Sequence, residues 1–549
     1  MLLNQTVGQL VESKAVSHPD HEAYVYPEHG IRKTYKQFHE DTDEVAKAFM
    51  ALGVERGEHV AIWSDNKPEW LISQFATGKM GGVLVTVNTN YQATELNYLL
   101  KQSDATTLLL ALTYKDTSYL EILTSICPEL KHCDKGMLHC KDLPYLKNII
   151  VLDDEQRPYA YNWREFVKLG EEISDAALQQ RKESLSVDDV INMQYTSGTT
   201  GFPKGVMLSH YNIVNNGNLV ADCMELTMTD RLCIPVPFFH CFGCVLGTMA
   251  AVSKGATMVI LEQFHPELVM SAVQEEKCTA LHGVPTMFIA ELNHPNFNLY
   301  SFPHLRTGIM AGSTCPMEVM KAVMNKMGAH EITIAYGQTE SSPVITQTRT
   351  KDSVERRVAS VGKAHPHVEV KIVAPGTNDE VPRGVPGELC TRGYLVMKGY
   401  YNNHEATAAA IDDEGWLHTG DIAVMDEEGY VDITGRMKDM IIRGGENIYP
   451  REVEEFLYQH PDVLDVQIVG VPDPRYGEEL MAWIILKEGV TSTPDSIKSF
   501  CEGKISRHKI PKYVVFTESY PMTASGKIQK YLLREQSEKL VKEKERLDV

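Results

Sequence analysis

Between residues 188 and 336 the chain alternates short apolar runs with helix-period patterns, and no other feature restricts the fold as much. Residues 190–195, 232–236, 256–261, 278–282, 308–311 and 331–336 read as strands. Ser209 reads as the N-cap of a helix beginning near Tyr211. Pro266 suits the first turn of a helix whose Leu268, Val269, Ala272 and Val273 share one face. Strands that alternate with helices imply α/β layering. Ligands in such sheets gather beyond the carboxyl ends of strands. Three loops there carry Gly, Ser or Thr: residues 196–205, 312–314 and 337–340.

The pattern changes after about residue 365. Val368, Val370 and Ile372 alternate, and Gly and Pro become dense through GTNDEVPRGVPGE, which predicts antiparallel sheet. From Arg436 a smaller α+β unit follows. Residues 452–458 read as helix, 466–471 and 481–486 as strands, and a charged helix ends the chain. The expected fold class is therefore α/β: a large multi-sheet N-terminal domain, residues 1–435, and a small α+β C-terminal domain, residues 436–549.

Charge excludes some functions. The chain has 53 Lys+Arg against 74 Asp+Glu, a formal charge of −21. Residues 436–549 hold 18 Lys+Arg and 19 Asp+Glu, so the acidic surplus lies in the large domain. An acidic surface disfavours nucleic acid and anionic membranes. The longest apolar stretch, residues 238–253, is shorter than the roughly 20 residues of a membrane-spanning helix. The first residues, MLLNQTVGQLVESKA, lack the pattern of a secretory signal. The expectation is a cytoplasmic protein that acts on small molecules, with no nucleic-acid partner and no transmembrane segment. No feature of the sequence sets an oligomeric state.

Eleven cysteines in so long a chain make no disulfide scaffold. Cys241 and Cys244 have redox-motif spacing but read as buried thiols in an apolar segment. The run Cys127, His132, Cys133, His139 and Cys140 fits no common zinc spacing and reads as a polar loop. HExxH, GxSxG, GxxxxGK[ST] and GxGxxG are all absent, which disfavours zinc proteases, serine hydrolases, P-loop NTPases and Rossmann dinucleotide enzymes.

The strongest chemical signal is YTSGTTGFPKGV at 195–206. All of residues 195–205 except Tyr195 and Phe202 are Gly, Ser, Thr, Pro or Lys. Gly198, Gly201 and Gly205 allow tight turns that present N–H groups. Thr196, Ser197, Thr199 and Thr200 add hydroxyls, and Lys204 adds a point charge, so the segment suits a polyphosphate.

This segment resembles the phosphate loop of the adenylate-forming superfamily: acyl-CoA synthetases, luciferases and peptide-synthetase adenylation domains. Four further stretches agree, in the family's order: YGQTE at 336–340, GWLHTGD at 415–421, GRMKDMIIRGGENIYP at 435–450 and SGK at 525–527. The resemblance implies ATP-dependent activation of a carboxylate through an acyl-AMP, transfer to coenzyme A, and a C-terminal domain that moves between the two half-reactions about a hinge near 436–439. It implies that Lys527 bridges the carboxylate and the phosphate, that Glu340 holds Mg²⁺ and that Thr339 contacts phosphate. Gly312, Ser313, Tyr336, Gly337 and Gln338 match the adenine slot, and Asp421 and Arg436 the ribose contacts. Lys438 matches the pivot. Gly444 and Gly445 match the thiol tunnel, with Arg443 beside them for a CoA phosphate.

PFFHCFG at 237–243 matches the loop that shapes the acyl site. Amino-acid-activating relatives carry an acidic residue there, and residues 234–254 contain none. An unpaired ammonium in an apolar pocket is costly. Phe239, His240, Gly243, Val284 and Met310 are the pocket candidates and are mostly apolar, so an uncharged acyl tail is expected. His240 is placed near the carboxylate as a gate. The resemblance is nearest to medium-chain fatty-acid CoA ligases. An aryl-CoA ligase on the same fold and a non-catalytic nucleotide-binding protein are the alternatives. Residues 501–530 carry six Lys/Arg against two Glu, a strip expected to meet the CoA phosphates.

Overall fold

The computed structural model describes residues 1–196, 203–313, 315–444, 446–523 and 527–547. Two large sheets form the body. In the eight-stranded sheet, His59–Trp63 pairs in parallel with Val83–Thr86 and Thr107–Leu110, and Val190–Thr196 adds in parallel beside Val83–Thr86. These strands are buried on both faces, so they read as continuous apolar runs. The nine-stranded sheet has a parallel centre of Thr257–Ile260, Arg231–Ile234, Ala280–Gly283, Thr307–Ala311 and Thr333–Gly337. Val344–Gln347 pairs antiparallel beside Thr333–Gly337, and the short strand Lys363–Ala364 pairs antiparallel beyond it.

Helices fill the layers. His210–Cys223 starts at Ser209, whose hydroxyl accepts from the Asn212 N–H while Asn212 reaches back to the Ser209 N–H. Nearly all its residues are buried, because it packs against Thr248–Lys254 and the π-helical turn Phe242–Gly247 between the sheets. Pro266–Glu275 has its proline in the first turn, as predicted. Its buried face is Val269, Met270, Ala272 and Val273, whereas Leu268 is 40% exposed. The predicted face is therefore rotated by one position.

Val368–Val373, Gly387–Gly393, Leu417–Met425 and Val431–Arg436 form a four-stranded antiparallel sheet. Beyond Arg436, a short turn Met437–Asp439 leads into a five-stranded sheet built mainly from Val463–Asp473 and Gly477–Leu486. That sheet has its own apolar core around Ile441, Val453, Leu457, Val466, Ile468 and Ile484. The closing helix is Lys530–Leu547. The smaller unit docks on the antiparallel sheet through Arg451, which pairs with Asp432 at 2.9 Å and also donates to the Ile433 carbonyl. Among the described residues no helix is long and apolar enough to cross a membrane.

Candidate active site

The glycine-rich segment lies in sequence between two paired strands. Val190–Thr196 and Lys204–Ser209 pair antiparallel, with Thr196 opposite Lys204. The sequence reading treated residues 196–205 as a loop, but Lys204 and Gly205 belong to the returning strand. Gly205 lets the two strands close: a Cβ there stands 2.9 Å from Met193 Sδ and 3.2 Å from Tyr195 Cζ. Ser197, Gly198, Thr199 and Thr200 lie outside the described residues.

Lys204 Nζ lies 4.2 Å from the centre of the Tyr400 ring. The Tyr400 hydroxyl donates to Glu340 Oε1 at 2.8 Å. The backbone repeats the link, for the Tyr401 N–H donates to the Gly205 carbonyl and the Met397 N–H to the Glu340 carbonyl, at 2.8 and 2.9 Å. Tyr400 thus joins the lysine of one motif to the carboxylate of another. Sequence reasoning missed it. It sits in a two-residue strand, Gly399–Tyr400, too short for any periodicity to register. A hydrogen bond to a charged acceptor is worth about 1.5–3 kcal/mol. Tyr400→Phe is expected to lower adenylation about tenfold or more, read from pyrophosphate release across an ATP titration. An unchanged titration would remove Tyr400 from the site.

A second cluster is built on paired strands. Asp421 and Arg436 are register partners across Leu417–Met425 and Val431–Arg436. Arg436 Nε stands 3.3 Å from Asp421 Oδ1, and the Tyr336 hydroxyl donates to Asp421 Oδ2 at 2.6 Å. Burial pushes the Asp421 carboxyl up from its ordinary value, while Arg436 and Tyr336 pull it down. Burial and Asp421 hold the Tyr336 phenol well above its ordinary value, so it remains a donor. A carboxylate has about four acceptor sites, so Asp421 keeps capacity for a ribose diol beside these partners. Gly337 is packed against backbone: a Cβ there would lie 1.8 Å from the Pro343 carbonyl oxygen. That oxygen accepts from the Gln338 N–H at 3.0 Å and from Ser341 Oγ at 2.7 Å. These contacts fix the short turn Thr339–Ser341 that carries Glu340.

Lys527 reaches this cluster from the smaller unit. The Thr523 N–H donates to the Lys527 carbonyl at 2.7 Å and the Lys527 N–H to Thr523 Oγ1 at 3.0 Å. A Cβ on Gly312 would stand 3.6 Å from Lys527 Cε and 3.0 Å from Val284 Cγ1, so the bare glycine leaves space for the lysine stem. Burial draws the Lys527 ammonium below its ordinary value, Arg436 acts the same way, and Cys241, Glu340 and Asp421 oppose them. His240 lies on the same spot. Burial, and then the Lys527 charge, push its imidazole down to about 3, so it is neutral. Its Nδ1 accepts from the Phe242 N–H at 3.1 Å, which leaves the proton on Nε2. Thr339 is buried, with Oγ1 3.9 Å from Cys241 Sγ. Burial raises the Cys241 thiol to about 11. Cys241 and Cys244 are free and buried, as inert thiols should be.

Other predicted residues stand apart. Ser313 is exposed beyond the strand Thr307–Ala311. Met310 points away from Ala311 into a different core cluster, with its sulfur 2.9 Å from Cys315 Sγ. Lys438 is exposed, and its carbonyl accepts from Arg534 at 3.3 and 3.4 Å. Arg443 makes a bidentate pair with Glu479 at 2.7 and 2.9 Å and lies over Tyr476. Gly444 has a φ of +62°, and Gly445 falls outside the described residues. In the basic strip Lys509 pairs with Glu452, and Lys504 lies 4.0 Å from the centre of the Phe500 ring.

Residues 11–401 match the family model described as AMP-binding enzyme, and residues 452–527 match the AMP-binding enzyme C-terminal domain. The chain belongs to the AMP-binding enzyme family. YngI of Bacillus subtilis, named as an acyl-CoA synthetase, is 60% identical over 98% of each chain. The human mitochondrial medium-chain acyl-CoA ligase ACSF2 is 42% identical, over 98% of this chain and 88% of that one. Among solved structures, the anthranilate CoA ligase AuaEII in complex with anthranoyl-AMP superimposes with a TM-score of 0.87 at 26% identity, over 98% of both chains. ATP-bound MatB from Rhodopseudomonas palustris gives 0.82 at 26% identity, over 98% of this chain and 100% of that one.

Proposed function

We propose that the protein is an AMP-forming acyl-CoA synthetase that activates a medium-chain fatty acid with ATP and passes the acyl group to coenzyme A. One observation carries the reading. Lys527 comes from a loop of the smaller unit and lies at the end of the strand Thr307–Ala311, in electrostatic reach of Glu340, Asp421, Arg436 and His240. A carboxylate approaching an α-phosphate brings two anions together, and a buried, positioned ammonium stabilises that encounter. Neutral His240 adds an Nε2–H donor without adding a competing charge. Asp421, Arg436 and Tyr336 would hold the nucleoside, and Lys204 and the glycine-rich turn its phosphates.

Glu340 suits Mg²⁺. One of its oxygens is fixed by Tyr400, and among the described residues no hydrogen bond occupies the other. Mg²⁺ takes few protein ligands and otherwise keeps water and phosphate oxygens. When bound it would neutralise phosphate charge.

Residues 1–435 act as the adenylating domain and 436–549 as a mobile lid that pivots at Lys438. The connection at 437–440 is a single short turn, and Lys438 is exposed. After rotation, Gly444 and Gly445 border the thiol path, and Arg443 and the basic strip meet the CoA phosphates. The compartment is cytoplasmic, in keeping with eleven free cysteines.

An aryl acid is the second reading, favoured by the close superposition on an anthranilate ligase. Competition among octanoate, benzoate and palmitate in a pyrophosphate-release assay decides between them. Octanoate is expected to be preferred, and dominance by benzoate would select the aryl reading. Pyrophosphate release with none of these acids would overturn the synthetase assignment. Release without CoA-dependent AMP formation would remove the thioester step.

A further inference from the structure

The segment after the helix Tyr119–Ile126 has a single short turn, Pro128–His132, and then no helix or strand from 133 to 147. So long an irregular run inside a compact domain is uncommon and is usually tied down or functional. Leu130, Leu138, Leu143 and Leu146 anchor it in the core beneath, and Cys127 and Cys140 are buried among them. Thirteen positions apart in the chain, the two thiols meet at one point. Glu129 bends back to the same point, and the two sulfurs and a carboxylate oxygen all lie within 4.8 Å of one another. Glu129 is exposed, and its Oε1 also accepts from the Lys141 N–H at 3.5 Å.

Among the described residues Glu129 forms no ion pair. A carboxylate that has water available gains little from two weak S–H donors. A redox disulfide is also poorly served, because a neighbouring anion disfavours the thiolate that thiol–disulfide exchange requires. A thiophilic divalent cation satisfies all three groups at once. Zinc takes sulfur at about 2.3 Å and carboxylate oxygen at about 2.0–2.2 Å in a tetrahedron, which fits ligand atoms spaced as these are. The other Cys/His/acid group, Glu388, Cys390 and His418, has no such need. There His418 Nδ1 lies 3.0 Å from Glu388 Oε2, and the Gly420 N–H donates to the other oxygen at 3.0 Å.

We propose that Cys127, Glu129 and Cys140 bind a zinc ion that staples the 127–146 loop to the large domain. Binding converts both thiols to thiolates and releases two protons to solvent. The site is apart from the residues assigned to adenylation, and a water completes the shell where the exposed Glu129 meets solvent. The ion's role is to hold the loop: a bound ligand stabilises the folded state by mass action.

The test uses the full chain without an affinity tag, stripped with chelator under reducing conditions and refilled with Zn²⁺ or Co²⁺. About one zinc per chain is expected after desalting, with a raised thermal midpoint. Co²⁺ is expected to give the near-ultraviolet thiolate-to-cobalt band. Cys127→Ser and Cys140→Ser remove that band. Glu129→Gln, an exposed change that keeps the fold, weakens Zn²⁺ affinity about tenfold or more and leaves ligase activity intact. Hydrogen exchange in residues 127–146 slows when zinc is added. The proposal is overturned if the wild type retains no zinc, if the variants retain as much as the wild type, or if mass spectrometry of the native protein finds a Cys127–Cys140 disulfide.

Discussion

Replacing Lys527 with alanine lowers acyl-adenylate formation by about 10²–10³-fold and leaves the reaction of preformed acyl-adenylate with coenzyme A near the wild-type rate. The first part follows from position. Lys527 lies at the large domain's strand end, and its stem passes the bare Gly312. Among the described residues the neighbouring cations are already engaged: Arg436 is paired with Asp421, and Lys204 lies over Tyr400. The second part follows from the proposed rotation, which carries the 521–529 loop away before thiol attack. Rapid-quench measurement of each half-reaction decides the point. Equal losses in both steps would contradict the two-position reading, and an undiminished adenylation rate would remove Lys527 from the chemistry. A pH signature accompanies the change. Burial lowers the Lys527 value below the ordinary lysine value of 10.5. The protonated form is the active one, so kcat/KM for ATP falls as pH rises through that lowered value. The alkaline limb therefore begins earlier than an exposed lysine would give, and it disappears in the alanine variant.

Gly337→Ala is expected to cost about 1–3 kcal/mol of stability and to reduce adenylation about 100-fold. The added Cβ would fall 1.8 Å from the Pro343 carbonyl oxygen and 3.0 Å from Val344 Cα, so backbone must move. That carbonyl holds the Gln338 N–H and the Ser341 hydroxyl, and moving it displaces the turn carrying Thr339 and Glu340. An ångström of misplacement at a reacting centre is enough for a loss of this size. Gly376→Ala is the control. It has a φ of +76° but open space around it, so only backbone strain of about 1–2 kcal/mol is added, far from the site. Denaturant midpoints and pyrophosphate release on both variants separate the two causes. Wild-type adenylation in Gly337→Ala would show that the close packing does not set the site.

Much of the fold was legible because the parallel strands are buried on both faces and leave contiguous apolar runs. The strands near 190, 232, 257, 280, 307 and 333 stand within a few residues of their predicted places. Ser209 and Pro266 marked helix starts correctly because capping is a local interaction. Leu268 was misassigned because amphipathic spacing there fits two adjacent faces, and contact with the neighbouring sheet selects the one with Met270. At Lys204 the neighbouring Gly and Pro suggest a turn, whereas its strand pairing with Thr196 depends on the preceding strand.

The motifs are legible in the chain alone: which residues carry hydroxyl, carboxylate, guanidinium and ammonium, and in what order. Those properties belong to single side chains and short segments. Which of these groups meet depends on how the sheets pack. That packing placed Tyr400 between Lys204 and Glu340, and set the Tyr336 hydroxyl on Asp421. It gave Arg443 to Glu479 and gathered Cys127, Glu129 and Cys140 to one point. Apart from Glu129, which lies two positions from Cys127 and eleven from Cys140, these pairings join positions 13 to 196 residues apart. Their energy comes from desolvation and fixed geometry, which exist only once the sheets have packed.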